Sequence, residues 1–430
     1  MSIDWIGISL LLGGFLGLMI LRIPIAFSLG LSSLVTIVYL GLPPLVIAQR
    51  MVNGLNSFTF LAVPFFILVG NIMTEGGISD KLVRVSDVLV GRVRGGLAQG
   101  NVVASTLFGG ISGSSVADVA SIGSFLIPAM KRNGYPPGYS VAVTVTSSVQ
   151  GVLIPPSQNM IYYALAAGGL PISTLFLAGY IPGLLLGLSL MIICYAIARR
   201  DGHPRSGAYN LGEGLRILGD AVIGLFTIVI IIGGILTGVF TATESAAVAV
   251  VYALGVTVFW YRSLSMPAVL RILSGSLSTL AVVTAIIMTS AVFGFLLSYL
   301  RVPAVLANAI FSVSSEPVFI LLAVNVLLLV LGMLMDMGVL ILLLTPILLP
   351  IVTKVGVDPI QFGIIMILNL GIGLCTPPVG VSLLVGSSIG RIKLEKAARS
   401  MLPFYLAMLV VLFLTTYIPA ISMTLPNLMR

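Results

Sequence analysis

Gly151-Val-Leu-Ile-Pro-Pro-Ser-Gln-Asn159 places two consecutive prolines inside a long apolar stretch, and Gly373-Leu-Cys-Thr-Pro-Pro-Val-Gly380 does the same further along the chain. Proline lacks a backbone N–H donor and clashes with the preceding helical turn, so a helix is interrupted at both places. The interruption leaves carbonyl oxygens without helical partners, which a membrane protein tolerates only inside protein or beside a watery cavity. These stretches therefore predict two broken helices, at residues 138–169 and 359–390.

The rest of the chain has the composition of a membrane protein. Of its 430 residues, 58% are hydrophobic and 8% are charged, whereas about 25% of a typical soluble domain is charged. Apolar segments match or approach the ~20 residues that a helix needs to cross a bilayer, and the alternation typical of a membrane β-barrel is absent. The N-terminus has no basic region before its apolar run, so we expect a retained span and no cleaved signal peptide. We predict an all-α polytopic membrane protein.

Basic residues cluster between the apolar segments and predict the orientation of the chain, because such loops face the cytoplasm. The clusters are Arg22; Lys81, Arg84, Arg92 and Arg94; Lys131 and Arg132; Arg199, Arg200, Arg205 and Arg216; Arg262 and Arg271; and Arg391, Lys393, Lys396 and Arg399. The predicted spans are 3–21, 24–40, 57–74, 138–169, 174–198, 218–240, 244–261, 275–300, 359–390 and 403–424, with both termini outside. The net charge of +8 is assigned to these loops and not to nucleic-acid binding.

Two apolar stretches, 98–132 and 317–353, must enter and leave the membrane on the same side in this topology. We predict that they are re-entrant helical hairpins. Each arm is expected to hold about a dozen residues, or ~18 Å of helix, which is too short to cross.

A shift of 222 positions aligns the glycines and prolines of one half of the chain with those of the other. The aligned pairs are Gly110 and Gly332, Pro128 and Pro350, Gly134 and Gly356, Pro137 and Pro359, Gly151 and Gly373, and Pro155-Pro156 and Pro377-Pro378. The predicted topology gives residues 1–216 and 217–430 opposite orientations, as in secondary transporters with inverted repeats. Each half also has a predicted interfacial arm helix, at 78–94 and 303–315. In the first arm, Ile78, Leu82, Val85, Leu89 and Val93 form one apolar face.

Freed carbonyl oxygens and hydroxyl groups suit a small dehydrated cation such as Na⁺, whereas helix N-termini attract an anion. We predict two Na⁺ sites related by the repeat. The first consists of Ser112, Ser115, Gly151 and Ile154, and the second of Gly332, Gly373, Thr376 and Val379. The substrate is expected between them, near Ser114, Ser157, Asn159 and Pro378. No other cofactor is expected.

Four further features have simpler interpretations. Asp118 and Asp336 lie near the hairpin tips and either bind ions or cap helices, roles that are compatible. Glu244 is expected to cap the start of a helix. His203 is expected to be a solvated surface residue. Cys194 and Cys375 lie in apolar segments and suggest neither a disulfide nor a metal cluster.

The chain resembles the large subunit of tripartite ATP-independent periplasmic (TRAP) transporters over essentially its whole length. The motifs that carry the resemblance are residues 58–70, Ile111-Ser-Gly-Ser-Ser-Val-Ala117, Leu153-Ile-Pro-Pro-Ser157, Thr345-Pro-Ile-Leu-Leu-Pro350, Gly356-Val-Asp-Pro359 and Thr376-Pro-Pro-Val-Gly380. The resemblance implies an elevator-type, Na⁺-coupled importer in a bacterial inner membrane. It also implies a small membrane subunit, expected here as a separate polypeptide, and a periplasmic binding protein that selects a carboxylate such as a C4-dicarboxylate or a sialic acid. Asp118 departs from the family pattern, because many relatives have an uncharged residue there.

Other classes of protein fit the sequence less well. A rhomboid-like intramembrane protease would fit Gly110-Ile-Ser-Gly113 but needs a histidine base, and His203 lies in a polar loop. An ATP-driven pump is excluded because no Gly-Lys-Ser/Thr phosphate loop occurs. A passive channel is disfavoured by the broken helices and inverted halves. A carrier that works without a binding protein is disfavoured only by the family resemblance.

Overall fold

The computed structural model describes residues 4–206, 209–313 and 316–429, and the regular structure within these residues is helical. The first half contains α1 (Trp5–Ile8), a π-helical turn (Ser9–Gly13), α2 (Gly14–Ile20), α3 (Ile25–Tyr39), α4 (Leu45–Leu55), a 3-10 turn (Phe58–Leu61), α5 (Ala62–Glu75), α6 (Ile78–Val90), α7 (Gly96–Ser112), α8 (Ser115–Arg132), α9 (Pro137–Ser147), α10 (Gln150–Leu153), α11 (Gln158–Ala166) and α12 (Ile172–Asp201). The second half contains α13 (Leu211–Leu236), α14 (Ala242–Gly255), a π-helical turn (Val256–Trp260), α15 (Met266–Tyr299), α16 (Val302–Val313), α17 (Pro317–Gly332), α18 (Met337–Lys354), α19 (Pro359–Leu374), α20 (Val381–Gly390), α21 (Leu394–Tyr417) and α22 (Ala420–Leu428).

Six helices of the described residues are long and apolar enough to cross a membrane, and the bent pair α5 and α6 would make a seventh. The six are Ile172–Asp201, Gly212–Leu236, Ala242–Trp260, Met266–Tyr299, Met337–Lys354 and Leu394–Tyr417. The combined α1–α2 helix, α3, α17, α19 and α20 are apolar but shorter. The chain is thus an all-helical, multi-pass membrane protein. The predicted number of ten crossings stays a prediction. The first predicted span begins at residue 3 and the second arm ends at 315, both outside the described residues.

The predicted length of the hairpin arms was wrong. Helices α7 and α8 have 17 and 18 residues, and α17 and α18 have 16 and 18. At 1.5 Å per residue each arm is about 24–27 Å long. Internal prolines do not end the second arm of either hairpin: Pro128 lies within α8, and Pro346 and Pro350 lie within α18.

Helix α4 was absent from the predicted spans, because Gln49, Arg50 and Asn53 interrupt its hydrophobicity. It packs against α15, and the contact requires a small residue. A Cβ atom on Gly54 would lie 2.7 Å from the Cβ of Ala291. Such small residues let membrane helices approach closely. This packing holds α4 against α15.

The predicted amphipathic arm corresponds to α6, which turns by 70° from the axis of α5. Ile78, Leu82 and Val85 are buried, as the apolar stripe predicted. The predicted apolar stripe is longer than the buried face of the helix, because Leu89 is 58% exposed and Val93 lies beyond the end of α6. Helix α6 also packs against α7, so the arm supports the first hairpin.

The helices of the two halves fall at matching intervals. Helices α8 and α18 both begin and end 222 positions apart, and α9 and α19 begin at the same interval. Helix α15 is one unbroken helix of 34 residues where the first half has the separate helices α4 and α5.

The interrupted helices form the centre of the protein. Every residue of α19 from Ile360 to Leu374 is buried, and so is every residue of α9 from Gly138 to Ser147. Each half also packs into the other, because α11 contacts α18, α20 contacts α8, and α21 contacts α9. The Tyr163 hydroxyl on α11 donates a hydrogen bond of 2.6 Å to the Pro359 carbonyl of α19. The first Pro-Pro segment is therefore buried in a core that both halves build, and the second Pro-Pro segment lies at the edge of that core, where Pro378 is exposed.

Candidate functional site

The first break separates α10 from α11 and is buried from Ile154 to Ser157. Ile154 leaves the helical conformation with an extended backbone, and the Ser157 hydroxyl donates to the Val152 carbonyl at 2.7 Å. The chain therefore turns inside the core and resumes as α11. The Pro155–Pro156 peptide bond is cis, as is the Pro377–Pro378 bond of the second break.

The tip of the first hairpin lies against this break. A Cβ atom on Gly109 would lie 2.4 Å from the Gly151 Cα, so the two backbones touch. The side-chain amides of Gln158 and Asn159 donate to the carbonyls of Ser112 and Gly113, at 3.3 and 3.2 Å. Gly113 adopts φ +60°, a left-handed conformation that glycine adopts without strain, and this lets α7 end and α8 begin within two residues.

The Ser115 hydroxyl joins both halves of the protein. Its oxygen lies 2.6 Å from the Ser148 hydroxyl oxygen and 2.8 Å from that of Ser382. Ser148 precedes the first break, and Ser382 lies in the first turn of α20, the helix that follows the second. One buried hydroxyl thus connects the first hairpin to the interrupted helices of both repeats.

The second break has the same relation to the second hairpin tip. A Cβ atom on Gly373 would lie 2.5 Å from the carbonyl carbon of Gly332. The backbone N–H groups of Val379 and Gly380 donate to the Met333 carbonyl at 3.3 and 3.4 Å. The second break is more open than the first, because Pro378 and Val379 are exposed.

The predicted cation ligands lie together at these two contacts. Ser112, Ser115, Gly151 and Ile154 are buried at the first, and Gly332, Gly373 and the half-buried Thr376 meet at the second. Val379 belongs to the same loop but is 37% exposed. Backbone carbonyl and hydroxyl oxygens are the donors that a hard cation requires, so the residues present fit Na⁺.

Helix ends of opposite polarity meet in this region. Helices α7, α10, α17 and α19 end at the tips and breaks, whereas α8, α11, α18 and α20 begin there. A helix C-terminus carries about half a negative charge and an N-terminus about half a positive charge. The arrangement provides negative ends for cations and positive ends for an anion within one site.

A cavity of about 190 Å³ lies between the two hairpin tips and α15. Ser114 and Asn159, two of the residues predicted to bind substrate, line it. Ser157 and Pro378 do not line this cavity. The Ser157 hydroxyl instead donates to the Val152 carbonyl, and Pro378 lies on the exposed loop. The lining residues that the sequence analysis did not single out include Gln158, Tyr162, Thr279 and Leu374.

The N-termini of α8, α11 and α18 face this cavity, through Ser114 to Val116, Gln158 and Asn159, and Met337 to Val339 respectively. Among the described residues that line it, Asp336 carries the only charge. That carboxylate caps α18, accepting from the Gly338 and Val339 amides at 2.9 and 3.4 Å. Asp336 therefore caps α18, which is one of the two roles predicted for it.

Asp118 is not the cap of its helix. Ser114 takes that position, and its hydroxyl oxygen accepts from the Ala117 amide at 3.4 Å. The Asp118 side chain is fully buried, and its Oδ1 accepts from the Ser105 hydroxyl at 3.2 Å. Its Oδ2 has no hydrogen-bond partner within the part of the chain that the structure describes, and it faces Gly151.

The prediction for His203 was wrong. Its ring is 8% exposed and lies between the rings of Tyr135 and Tyr139, at centroid distances of 4.5 and 5.0 Å. Burial lowers the pKa of His203. Neither ring nitrogen has a hydrogen-bond partner among the described residues. A polar loop suggested exposure, but the segment after α12 folds back onto the aromatic rings.

The capping role predicted for Glu244 is confirmed. Its carboxylate accepts from the Thr241 amide at 2.8 Å, and the Thr241 hydroxyl oxygen accepts from the Glu244 amide at 3.3 Å. This reciprocal capping box fixes the start of α14.

Comparison with known proteins agrees with this architecture. Residues 12–421 match the family model of the tripartite ATP-independent periplasmic transporter, DctM component. The chain is 37% identical to the C4-dicarboxylate TRAP transporter large permease protein DctM of Rhodobacter capsulatus, over 98% of this chain and 99% of that one. It is 38% identical to the sialic acid TRAP transporter large permease protein SiaM of Vibrio cholerae, over 96% and 97%.

Among solved structures, the fold is similar to the Alcanivorax borkumensis YdaH transporter. The TM-score is 0.63 at 14% sequence identity, with 89% of this chain and 88% of that chain covered. This similarity concerns the fold alone. Together, the family match and the two permease relatives lead to one conclusion: the chain belongs to the DctM family of TRAP transporter large permease subunits.

Proposed function

We propose that this protein imports a small carboxylate-bearing substrate together with Na⁺, as a secondary active transporter. The observation that carries the proposal is the meeting of helix ends of opposite polarity at two Pro-Pro breaks. Two of the relatives are named for C4-dicarboxylates and sialic acid, which are both organic acids. Family membership also implies a small membrane subunit and a periplasmic binding protein as partners.

The cation sites lie at helix C-termini. At the first, the end of α7 at Ser112 meets the end of α10 at Leu153, and at the second, the end of α17 at Gly332 meets the end of α19 at Leu374. Carbonyl groups at helix C-termini have no intrahelical partners and carry partial negative charge. Each site would thus hold Na⁺ through oxygens that the fold already exposes.

Asp118 distinguishes the two sites. A shift of 222 positions places Leu340 at the equivalent point of the second half, which therefore has no carboxylate at this position. A buried carboxylate without a basic partner is costly unless a proton or a metal cation neutralises it. We propose that Asp118 supplies the negative charge that balances Na⁺ at Gly151, and that the first site binds Na⁺ more tightly than the second.

The substrate carboxylate would occupy the cavity between the hairpin tips. The partial positive charges of the N-termini of α8, α11 and α18 face it, and Ser114, Asn159 and Tyr162 contribute polar side-chain groups. Each N-terminus carries about half a positive charge, so the single Asp336 carboxylate, which accepts from the amides of α18, neutralises only part of this positive potential. The binding of Na⁺ next to the same tips would further favour the anion.

The transport module would consist of the hairpins and interrupted helices, and α15 would form part of a fixed scaffold. Thr279, Val283 and Ile286 of α15 form the scaffold wall of the cavity. In an elevator mechanism the module slides along this wall and carries the site from one side of the membrane to the other. We place the protein in a bacterial inner membrane with both termini periplasmic, because this orientation puts the basic loops in the cytoplasm.

The energetics allow accumulation without ATP. One Na⁺ ion that enters down a tenfold gradient and 100 mV supplies roughly 1.4 and 2.3 kcal/mol respectively. Two ions would supply about 7 kcal/mol, less the cost of bringing in an anion.

The test is uptake into proteoliposomes that contain this chain and its small subunit, with the binding protein outside. Labelled succinate and N-acetylneuraminate serve as candidate substrates. We expect one of them to accumulate under an inward Na⁺ gradient, to exchange in counterflow, and to require the binding protein. Equilibration without counterflow would indicate a channel. Accumulation without the binding protein would indicate an independent carrier.

A further inference from the structure

A second cavity, of about 570 Å³, lies next to the proposed substrate cavity. It is lined by α4, by the end of α11 and by α15, and Leu342 of α18 lines both cavities. The same helix, α15, supplies one wall of each. Thr279, Val283 and Ile286 line the smaller cavity, and Ile287, Ser290 and Gly294 line the larger one. The two cavities are therefore consecutive along one helix face, with Leu342 at their boundary.

Arg50 gives the larger cavity its charge. Among the described residues that line it, Arg50 is the one that carries a charge, and it has no carboxylate partner within the described chain. Its guanidinium carbon lies 4.1 Å from the centre of the Phe295 ring. A guanidinium that stacks on an aromatic ring keeps its edge N–H groups available for two parallel hydrogen bonds.

Polar side chains line the same cavity as Arg50. Asn53 and Ser57 line the cavity beside Arg50, and Ser290 and Ser298 line it from α15. The Ser290 hydroxyl is buried and has no hydrogen-bond partner among the described residues. The volume lies within the range that accommodates small-molecule ligands, and sites of this kind use a few convergent polar groups to orient the ligand.

The sequence-based topology places Arg50 outside, away from the basic cytoplasmic loops. We propose that this cavity is an outer vestibule in which Arg50 binds the carboxylate of an arriving substrate before the substrate enters the inner cavity past Leu342. This inference rests on the proposed function, because it concerns the route to the same site. The vestibule binds a small carboxylate without Na⁺, because none of the proposed Na⁺ ligands lines it.

The test measures carboxylate binding without transport. The full-length chain and its small subunit are placed in lipid nanodiscs in choline buffer, and saturation-transfer NMR detects millimolar acetate or succinate. The binding protein is omitted because it binds carboxylates itself. We expect a signal from both probes with the wild type, since the guanidinium recognises the carboxylate group. Arg50→Gln should weaken binding about tenfold, as expected for the loss of a charge-assisted pair.

Arg50→Lys should give intermediate binding, because it keeps the charge but loses the planar pair of donors. Gln49→Ala is the matched control: Gln49 is the adjacent exposed residue, it does not line the vestibule, and this variant should bind as the wild type does. Equal signals from wild type and Arg50→Gln, or no wild-type signal, would overturn the vestibule.

Loss of binding-protein association in Arg50→Gln with an unchanged acetate signal would also overturn it, because Arg50 would then contact a protein. If no carboxylate binding is detected in this Na⁺-free assay, Na⁺-driven uptake into proteoliposomes can still be measured separately. The vestibule and the proposed function can therefore fail independently.

Discussion

Gly332 and Gly373 touch through their backbones: a Cβ atom on Gly373 would lie 2.5 Å from the Gly332 carbonyl carbon. The contact joins the tip of the second hairpin to the second interrupted helix. No flexible side chain is available to move aside, because both partners are glycine. The geometry of the proposed cation site therefore depends on a contact that any larger residue would separate.

Gly373→Ala should abolish most Na⁺-dependent uptake and destabilise the protein by about 1–3 kcal/mol, because the added methyl group pushes the hairpin away. Uptake and thermal unfolding in detergent measure the two effects. Gly17→Ala is the matched control, since a Cβ atom there would meet no atom within 4 Å. Normal Na⁺-dependent uptake by Gly373→Ala would show that the close contact is not required.

Thr376→Ala should raise the half-saturating Na⁺ concentration for uptake by roughly three- to tenfold, because it removes one oxygen ligand. The Thr376 hydroxyl donates to the Ile372 carbonyl at 2.8 Å, and its oxygen keeps a lone pair for a cation. The control is Thr353→Ala, whose exposed hydroxyl makes the same type of bond to Leu349 at 2.8 Å. If both variants kept the wild-type Na⁺ response, the second cation site would be misplaced.

Asp118→Asn should weaken Na⁺ binding without lowering the thermal stability of the protein. Asparagine replaces a buried carboxyl group that has no basic partner, so thermal stability in Na⁺-free buffer should be unchanged or higher. The same change should raise the half-saturating Na⁺ concentration about tenfold, because the cation at the first site loses its counter-charge. A variant that loses stability while keeping its Na⁺ affinity would assign Asp118 a purely structural role.

Asp336 offers a test of helix capping next to the substrate cavity. Asp336→Ala should cost about 1 kcal/mol, because the first amides of α18 lose their acceptor. Asp336→Asn should retain nearly wild-type stability, since asparagine caps helices as well as aspartate does. Thermal unfolding of both variants in Na⁺-free buffer distinguishes them, and equal losses would argue against the cap.

The elevator proposal requires movement between α15 and α18. Gly294 and Pro346 are neighbours across this boundary, because a Cβ atom on Gly294 would lie 3.9 Å from the proline Cγ. Crosslinking cysteines at these two positions should stop uptake, and reduction should restore it. The native Cys194 and Cys375 are buried, so labelling of the new pair dominates. Full uptake by the crosslinked protein is incompatible with sliding of the module.

The interruptions of the core helices could be predicted from the sequence, because consecutive prolines have a local effect on the backbone. Pairing these breaks with the hairpin tips also followed from the sequence, since glycines recur at Gly110, Gly151, Gly332 and Gly373. The contacting glycine in the first half is Gly109, next to the one that the repeat singled out. Spacing along the chain identifies the contact but not which of two neighbouring glycines makes it.

Features that depend on tertiary packing could not be predicted in this way. Helix α4 has too many polar residues to be recognised by hydrophobicity, and it is held by its contact with α15. The burial of His203 depends on two tyrosines that lie more than sixty positions earlier in the chain. Thr279 lines the cavity because α15 packs next to the hairpin tips, and no local sequence motif predicts this position.

Simultaneous measurement of Na⁺ and carboxylate entry tests the central claim most directly. Proteoliposomes with both membrane subunits receive ²²Na⁺, the transported carboxylate labelled with ¹⁴C, and the loaded binding protein. We predict that the carboxylate triggers ²²Na⁺ entry, with about two ions for each substrate molecule, and that choline abolishes accumulation. Carboxylate accumulation in choline driven equally well by a proton gradient, without ²²Na⁺ entry, would contradict the proposal that the two breaks bind Na⁺.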